Sequence, residues 1–355
     1  MTRVLIVKTS SMGDIVHNLP VVADIRRFVP DAVIDWVVEE AYVDLVRMCH
    51  DVTTVIPVAM RRWRHEPHRR VVRDERRAFV DALRRERYDL VLDTQGLVKS
   101  ALVAYRARLA PGGARAGFAF GLVRESLARL FYDRAYSVDK RLHAIERMRA
   151  LAAQAFGYAY PAGPPRFPLT VPPQSFDWLH GGRDGARARY AVLLHATARA
   201  EKAWPVERWT ALIAALCGAG ITPVLPFGNP AERRAAEALA TDAIAAMDRP
   251  IVGPVVAPPL PLTGAAALLA GADVVVGVDT GLLHLAAALD VPTVGLFGAT
   301  PRWRYAPHWS PDSISLGSFG ELGSQPDVDA VVGALASLGL LEAPPAAASP
   351  RERRP

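Results

Sequence analysis

The chain has 355 residues, of which 51% are hydrophobic and 22% are charged, and its formal net charge at pH 7 is +6. This length predicts two domains, since domains usually hold roughly 100–200 residues. Two distant cysteines without CxxC spacing, Cys49 and Cys217, argue against a disulfide scaffold and a zinc site and favour a reducing compartment.

The first 160 residues alternate between short β-rich runs and helical segments. The opening apolar run is too short for a signal peptide and predicts a first buried strand. Strands are predicted at 4–8, 33–38, 52–58 and 89–93, with a helix over 76–87. Near-continuous apolar strands separated by helices indicate a parallel sheet that is covered on both faces.

A proline-rich segment follows, with six prolines between residues 160 and 173. Proline this dense continues neither a helix nor a central strand, so an N-terminal domain over 1–160 and a linker over 161–175 are predicted. A C-terminal domain over 176–325 comes next. A helix over 326–341 is expected to pack back on the N-terminal domain, and the tail 342–355 is expected to be disordered.

Alternation resumes in the second half. Strands are predicted at 191–195, 221–226, 273–278 and, as the last strand, 293–297, and helices at 205–217, 231–240 and 282–289. The longest apolar stretch, 265–278, is too short to span a bilayer, so any membrane contact should be peripheral. Two α/β halves place a cleft between two sheets, and ligands of such sheets bind at the carboxyl ends of the strands.

Polar residues follow the first predicted strand in the segment KTSSMGDI (8–15). Gly13 permits a tight turn into a helix, and Asp14 is either a helix cap or a functional carboxylate that faces the cleft. A single glycine fits neither the dinucleotide-binding fingerprint nor a Walker motif. A nicotinamide oxidoreductase is therefore a weak alternative.

Two further motifs lie at strand ends of the second half. Thr197 and Lys202 lie in a loop that would suit a diphosphate, although a solvated loop is the alternative. In VDTGLLH (278–284), a strand ends at Asp279 and a helix begins at a glycine, so its free N–H groups favour an anion. His284 lies on the first turn of that helix, and a capped helix with a packed histidine is the alternative.

The segment 61–87 carries eleven arginines against five carboxylates, an excess equal to the net charge of the whole chain. Its start, RRWRHEPHRR (61–70), predicts a loop because it contains a proline. Such a segment indicates a polyanionic partner, either nucleic acid, a phosphorylated lipid surface or a charged small substrate. A solvated charge run and a non-catalytic lipid- or RNA-binding module are the alternatives.

Taken in order, these motifs resemble the lipopolysaccharide heptosyltransferase family, and its type I members more than type II. The resemblance runs from residue 4 to about residue 300. The segments that carry it are VLIVKTSSMGD (4–14), DWVVEE (35–40), IPVAMRRWR (56–64), DTQGLVKS (93–100), RESL (124–127), LFYD (130–133), HAIER (143–147) and VDTGL (278–282).

The resemblance implies a GT-B fold, with two Rossmann-like parallel-sheet domains facing each other across a cleft. It implies inverting transfer of heptose from ADP-L-glycero-β-D-manno-heptose to the first Kdo of Kdo2-lipid A. A related enzyme with a type II-like acceptor is the alternative. The implied setting is the cytoplasm, peripherally at the inner membrane. Neither a cofactor nor a metal is expected, because no Asp-x-Asp motif lines a strand end, and no nucleic acid partner is expected.

The resemblance also implies roles for individual residues. Asp14 and Lys202 match catalytic positions. The residues that match donor-binding positions are Thr197, Lys202, Glu232, Leu260, Asp279, Thr280, Gly281 and His284. The residues that match an acceptor region are Ser11, Arg61, Arg62, Arg64, Arg124 and His143. Ala198 stands where relatives often carry a second hydroxyl residue beside Thr197.

Overall fold

The computed structural model describes residues 1–179, 189–317 and 325–341. In these ranges the strands form two six-stranded parallel sheets. The strands are β1 (Arg3–Val7), β2 (Val33–Glu39), β3 (Thr54–Val58), β4 (Tyr88–Asp93), β5 (Leu109–Phe118), β6 (Arg134–Tyr136), β7 (Tyr190–Leu194), β8 (Thr222–Leu225), β9 (Val255–Val256), β10 (Val274–Val278), β11 (Thr293–Phe297) and β12 (Ser313–Gly317).

Helices connect the strands and cover the sheets. They are α1 (Met12–Val16), α2 (Leu19–Phe28), α3 (Val43–Arg47), α4 (Met60–His65), α5 (Arg70–Leu83), α6 (Val98–Arg106), α7 (Ala144–Phe156), α8 (Val206–Gly218), α9 (Pro230–Ala245), α10 (Leu262–Ala270), α11 (Gly281–Ala288), α12 (Arg302–Tyr305) and α13 (Val328–Ser337). Short 3-10 helices span Glu40–Tyr42, Ser126–Phe131 and Ala200–Lys202.

The first sheet has the strand order β3-β2-β1-β4-β5-β6. Along β1 the side chains alternate, so that Val4 and Ile6 pack into one apolar cluster while Leu5 and Val7 pack into another. Both faces of the strand are therefore buried, as its uninterrupted apolar run predicts. The predicted parallel sheet covered on both faces is confirmed for this half.

The second sheet has the strand order β12-β11-β10-β7-β8-β9. Every residue of its central strand β10 is buried. The two sheets, each flanked by helices, confirm the predicted GT-B architecture. Both sheets bring the loops that follow β1, β7 and β10 to a common cleft, because parallel strands all end at the same edge.

Several elements differ from the sequence predictions. The prediction of 293–297 as the last strand is wrong, because β12 pairs with β11 at the sheet edge. β5, β6 and β9 were not predicted, and β5 contains Pro111, Gly112 and Gly113 next to a register shift in its pairing. The prediction of a loop over 61–70 is also wrong for residues 61–65, which belong to α4. Pro67 restricts only the chain beyond that helix.

The C-terminal helix α13 packs on the second sheet's lobe, against α8, β11 and β12. Val331, Ala334 and Leu335 form its buried face and belong to the core cluster of that lobe. Their spacing places them on one side of the helix, which fixes the side that is buried. The expected packing on the N-terminal domain is thus wrong, and the tail 342–355 lies outside the described residues.

The two lobes contact each other at the amino ends of α1 and α11. A Cβ atom built at Gly281 would lie 2.6 Å from the Met12 side chain, and one at Gly13 would lie 3.1 Å from the His284 ring. The close approach of the lobes therefore leaves no room for a side chain at Gly281, whereas a side chain at Gly13 would make a tight contact. The contact places the loop after β1 opposite the loop after β10.

Candidate active site

A cavity of about 380 Å³ lies between the lobes, beside the contact of α1 with α11. Its walls come from the loops that follow β1, β7 and β10. Among the sequence-predicted residues, those that line it are Ser11, Asp14, Arg124, Thr197, Lys202, Glu232, Asp279, Thr280, Gly281 and His284. Most of the predicted donor residues and the predicted base thus share one cavity.

Asp14 lies at the third position of α1 and faces the cleft. Its Oδ2 accepts hydrogen bonds from the Ser11 N–H at 3.1 Å and the Ser11 hydroxyl at 3.0 Å. Its Oδ1 lies 3.4 Å from the Lys8 ammonium, and 29% of the Asp14 side chain is exposed. Ser11 is therefore the N-cap, and Asp14 completes a capping box from inside the helix. One carboxylate oxygen supports the helix, while the other faces a cation.

The electrostatic surroundings of Asp14 keep it ionised. Burial raises the pKa of Asp14, but the charge of Lys8 and the hydrogen bonds from Ser11 outweigh burial and hold the pKa below its ordinary value. At neutral pH the side chain is a carboxylate. A general base must be unprotonated before it takes a proton, so Asp14 meets this condition.

Asp279 is the centre of a buried polar cluster at the end of β10. Lys202 donates to its Oδ2 at 2.6 Å, and Thr300 donates to the same oxygen at 2.8 Å. His284 contacts Oδ1 through Nε2 at 2.9 Å. Both carboxylate oxygens are therefore occupied by groups of the chain itself.

Burial raises the pKa of Asp279, but the hydrogen bond from His284 and the charge of Lys202 reverse the effect and hold the pKa well below its usual range. The cluster fixes the Lys202 ammonium beside the cavity, since its Nζ also contacts the Asp279 carbonyl oxygen at 3.3 Å. Asp279 thus positions the cation that lines the cavity.

The amino end of α11 adds hydrogen-bond donors to the same wall. Thr280 is the N-cap, yet its side chain makes no capping hydrogen bond, and its buried hydroxyl has no partner among the described residues. The first-turn N–H groups are thus not satisfied by the cap. Free amides and the helix dipole favour an anion here.

Two predicted donor residues behave differently from each other. Glu232 lies on the first turn of α9 and accepts the Gly228 N–H at 2.7 Å through Oε2, so its other oxygen is available to the cavity it lines. Leu260 lies before α10, where it packs against the core cluster that spans both lobes. The structure does not bring Leu260 to the cavity.

A second cavity, of about 460 Å³, adjoins the first and shares Asp14, Arg124 and Tyr305 with it. Its lining includes one carboxylate, Asp14, and five cations. These cations are Lys8, Arg124, Lys140, Arg147 and Arg304. Such a wall suits an anionic ligand that presents a polar group to Asp14.

Sequence reasoning missed four of these cations, Lys8, Lys140, Arg147 and Arg304, and it also missed Thr300. Arg304 belongs to α12 of the second lobe, whereas Lys140 follows β6 of the first. These residues lie far apart along the chain, so no local sequence motif includes them all. The one feature of the sequence that could have identified them is that each follows the end of a strand.

The predicted acceptor arginines of α4 line neither cavity. Arg62 is held between Glu40 and Glu75, at 3.0 and 2.9 Å. Arg61 donates its backbone N–H to Glu39 at 2.9 Å, and Arg64 is exposed. The structure therefore separates this basic helix from Asp14.

His143 was expected to contact the acceptor, but it lies at the junction of the lobes instead. Its Nδ1 accepts the Ile145 N–H at 3.2 Å, and its Nε2 lies 3.1 Å from the Ala306 carbonyl oxygen. Both ring nitrogens are occupied, and His143 lines neither cavity. Burial lowers the pKa of His143 to about 3, so the ring is neutral.

In ranges 1–179, 189–317 and 325–341, no group of three or more His, Cys, Asp or Glu side chains is placed to hold a metal ion. Within the same ranges, none of the helices has the length and apolar character needed to cross a membrane.

The two facing sheets and the polar cleft between them define a glycosyltransferase of the GT-B class. Residues 76–331 match the family model for glycosyltransferase family 9 (heptosyltransferase), and the chain belongs to this family. It is 43% identical over 304 residues to lipopolysaccharide heptosyltransferase 1 of Escherichia coli K12, across 84% of this chain and 88% of that one.

Solved structures agree with this assignment. The heptosyltransferase WaaC of E. coli with ADP superposes with a TM-score of 0.81 at 39% identity, over 95% of this chain and 100% of that one. The same enzyme with ADP-2-deoxy-2-fluoro heptose gives a TM-score of 0.75 at 39% identity, over 93% and 98%. The predicted family and enzyme class are therefore confirmed.

Proposed function

We propose that this heptosyltransferase moves L-glycero-D-manno-heptose from ADP-heptose to the first Kdo of Kdo2-lipid A, in the synthesis of the lipopolysaccharide inner core. One observation carries the proposal: the ionised Asp14 faces the Asp279 cluster across a single cavity. The names of the relatives and the ADP-heptose analogue in the second solved structure support the same donor and pathway.

The donor occupies the wall built by the second lobe. Its diphosphate lies against the first-turn amides of α11 and the Lys202 ammonium, with the Thr197 hydroxyl alongside. The Thr280 hydroxyl, which has no partner among the described side chains, adds a further donor at this place. Glu232 offers its second oxygen to the ribose hydroxyls. Ala198 lines the same cavity without a hydroxyl, so the amides of α11 carry more of the phosphate contact.

The chemistry is an inverting displacement at the anomeric carbon of heptose. Asp14 takes the proton of the attacking Kdo hydroxyl, the oxygen forms a bond to that carbon, and the bond to the ADP phosphate oxygen breaks. The electron pair leaves with ADP, where Lys202 and the amide end of α11 stabilise the additional charge. Closure of the lobes excludes water that would otherwise hydrolyse the donor.

The acceptor occupies the adjoining basic cavity. The five cations of this cavity match the carboxylates of the Kdo sugars, and Asp14 is the only carboxylate among the described residues that line it. The exposed Arg61 and Arg64 contact phosphates farther from the reaction centre. Since this acceptor accounts for the basic segment, nucleic acid is not required as a partner. The type II-like alternative is not favoured by the relatives named above.

The proposal assigns acceptor binding to the domain over 1–160 and donor binding to the domain over 176–325, with the proline-rich linker over 161–175 between them. A lipid-linked acceptor requires the enzyme to work at the cytoplasmic face of the inner membrane. We therefore place the protein in the cytoplasm, peripherally attached. Each basic side chain at an anionic lipid surface contributes about 1 kcal/mol to such attachment.

Mass spectrometry of the acceptor tests the function. Kdo2-lipid A incubated with ADP-heptose and the protein should gain one heptose unit, and the Asp14→Asn variant should give little product. A type II-like enzyme would instead act only on an acceptor that already carries heptose. Loss of heptose from the donor without gain on either acceptor would overturn the proposal.

A further inference from the structure

A third cavity, of about 650 Å³, lies away from the two described above, on one face of the first sheet. It lies between α4, α5 and α6 near the carboxyl end of β3. Its floor is apolar and includes Trp63 and Phe79, whose rings are 5.9 Å apart, together with Val80 and Leu102. Of the residues given a role above, Arg64 alone is among its described lining residues, and Arg64 is assigned to acceptor phosphates and not to the reacting groups.

The mouth of this groove is cationic. Arg64, Arg76, Lys99 and Arg106 surround it. Within the described ranges, no carboxylate forms an ion pair with any of these four side chains, whereas Arg62 of the same helix has two carboxylate partners. The groove thus combines an apolar floor with a positive rim whose cations form no ion pair with a described carboxylate, which suits an amphiphile with an anionic head and an apolar tail.

Lys99 lies among charges of both signs. Burial lowers the pKa of Lys99, Glu39 and Glu125 oppose this effect, and the neighbouring charges of Arg61 and Arg64 lower the pKa further. An anion at the mouth would offset the repulsion among the three cations.

Hydrogen bonds at the strand ends link the helix beside this groove to the loop after β1. The Glu39 N–H donates to the Thr9 carbonyl oxygen at 3.1 Å, and the Glu39 carboxylate accepts the Arg61 N–H at 2.9 Å. These contacts join α4 to the loop that leads from β1 into α1, the helix of Asp14. β3 lies two strands from β1, so at about 4.8 Å per strand the strand that ends at the groove is roughly 10 Å from the strand that precedes Asp14.

We infer that this groove binds a fatty-acyl chain of the lipid acceptor, with an adjacent acceptor phosphate held by the cationic rim. The inference rests on the proposed function, since it takes the acceptor to be an acylated, phosphorylated glycolipid. When the first Kdo reaches Asp14, the acylated lipid to which it is joined extends away from the reaction centre along the first lobe. The groove is the apolar site at that position.

Acceptors with and without acyl chains test the inference. The variants Leu102→Gln and Val80→Trp make the floor polar or fill it. Each should raise KM for acylated Kdo2-lipid A about tenfold, equivalent to the loss of roughly two buried methylene groups. KM for fully deacylated Kdo2-lipid A should stay within about twofold. The matched control Val71→Gln changes an exposed residue of α5 outside the groove and should alter neither value.

Equal changes for both acceptors, or no change for either, would overturn the inference. A second experiment measures binding of the protein to phosphatidylglycerol vesicles that contain no acceptor. If the variants weaken only this vesicle binding, the groove binds bilayer lipid and not the acceptor. Direct binding of the acylated and deacylated acceptors to the full chain needs no turnover. A wild type that transfers no heptose but binds the acylated form through the groove would refute the proposed function alone.

Discussion

Asp14 and Asp279 both follow central strands and face each other across the cleft, but their surroundings differ. Asp279 is 8% exposed and has its two oxygens bound by Lys202, His284 and Thr300. Asp14 is 29% exposed, and its Oδ1 has only one long contact, at 3.4 Å, to Lys8. One carboxylate is fully engaged by the chain, whereas the other keeps an oxygen directed at the cavity.

This difference indicates different roles for the two carboxylates, which the sequence alone does not distinguish because both follow a strand and lie near a helix start. A fully hydrogen-bonded, strongly acidic carboxylate holds neighbouring groups in place and is a poor proton acceptor. A carboxylate that is ionised but incompletely paired is able to accept a proton from a substrate. Asp279 is therefore a positioning residue for the donor wall, and Asp14 is the candidate base.

The largest expected effect is on turnover in Asp14→Asn. We expect kcat to fall by about 10²–10⁴-fold, the usual worth of general-base assistance. The amide oxygen still accepts the Ser11 N–H, so the melting temperature and ADP affinity should change little. Steady-state kinetics, thermal unfolding and calorimetric titration with ADP measure the three quantities.

Ser11→Ala is the matched control, since it removes the capping hydroxyl and keeps the carboxylate. It should cost about 1 kcal/mol of stability and leave most of the turnover. A loss of kcat as large as that of Asp14→Asn would mean that Asp14 acts through the helix cap.

Asp279→Ala should chiefly lower stability. Removal of one partner from a buried ion pair costs about 3–5 kcal/mol, because the Lys202 charge is then left without compensation. ADP binding should weaken as well, since the donor wall loses its anchor. Denaturant unfolding is the measurement. A variant as stable as the wild type would show that the cluster does not hold the wall.

Lys202→Ala should weaken ADP binding by about 10- to 100-fold, the range for a hydrogen bond to a charged group. It should also lower kcat, because the leaving diphosphate is less well stabilised. Calorimetry with ADP and single-turnover kinetics separate the two effects. If ADP affinity and kcat both equal those of the wild type, Lys202 does not act in the active site and serves only as a partner for Asp279.

The smallest effect concerns pH and the junction of the lobes. Because burial lowers the pKa of His143 from 6.5 to about 3, the folded protein prefers the neutral ring. The unfolded chain binds a proton below pH 6.5, so this stability is complete above that pH and decreases as pH falls toward 3. Asparagine is a good helix cap and does not titrate, so the melting temperature of His143→Asn should fall less between pH 7.5 and pH 5.

The control is His50→Asn, which changes a histidine whose side chain is 58% exposed. It should keep the pH dependence of the wild type. A wild-type pH dependence in His143→Asn would show that acid destabilisation arises elsewhere, with His17 as the next candidate, because burial also lowers its pKa.

Apolar patterning and the residues at strand ends were enough to predict the fold class and most of the proposed donor wall. Apolar runs such as Val4–Val7 and Val274–Val278 predict buried parallel strands, and the polar residues directly after them are placed at one edge by the topology. Asp14, Asp279 and His284 could be found because each lies within a few residues of such a strand end.

Which residues face one another depends on contacts between distant parts of the chain. The basic cavity takes Arg124 and Arg147 from one lobe and Arg304 from the other, and the ring of charge around the apolar groove comes from three separate helices. Arg62 and His143 have the right chemistry for an acceptor but are occupied by partners inside the fold. Local patterns fix where a strand ends, whereas charge pairing and the contact between lobes depend on residues far apart in the chain.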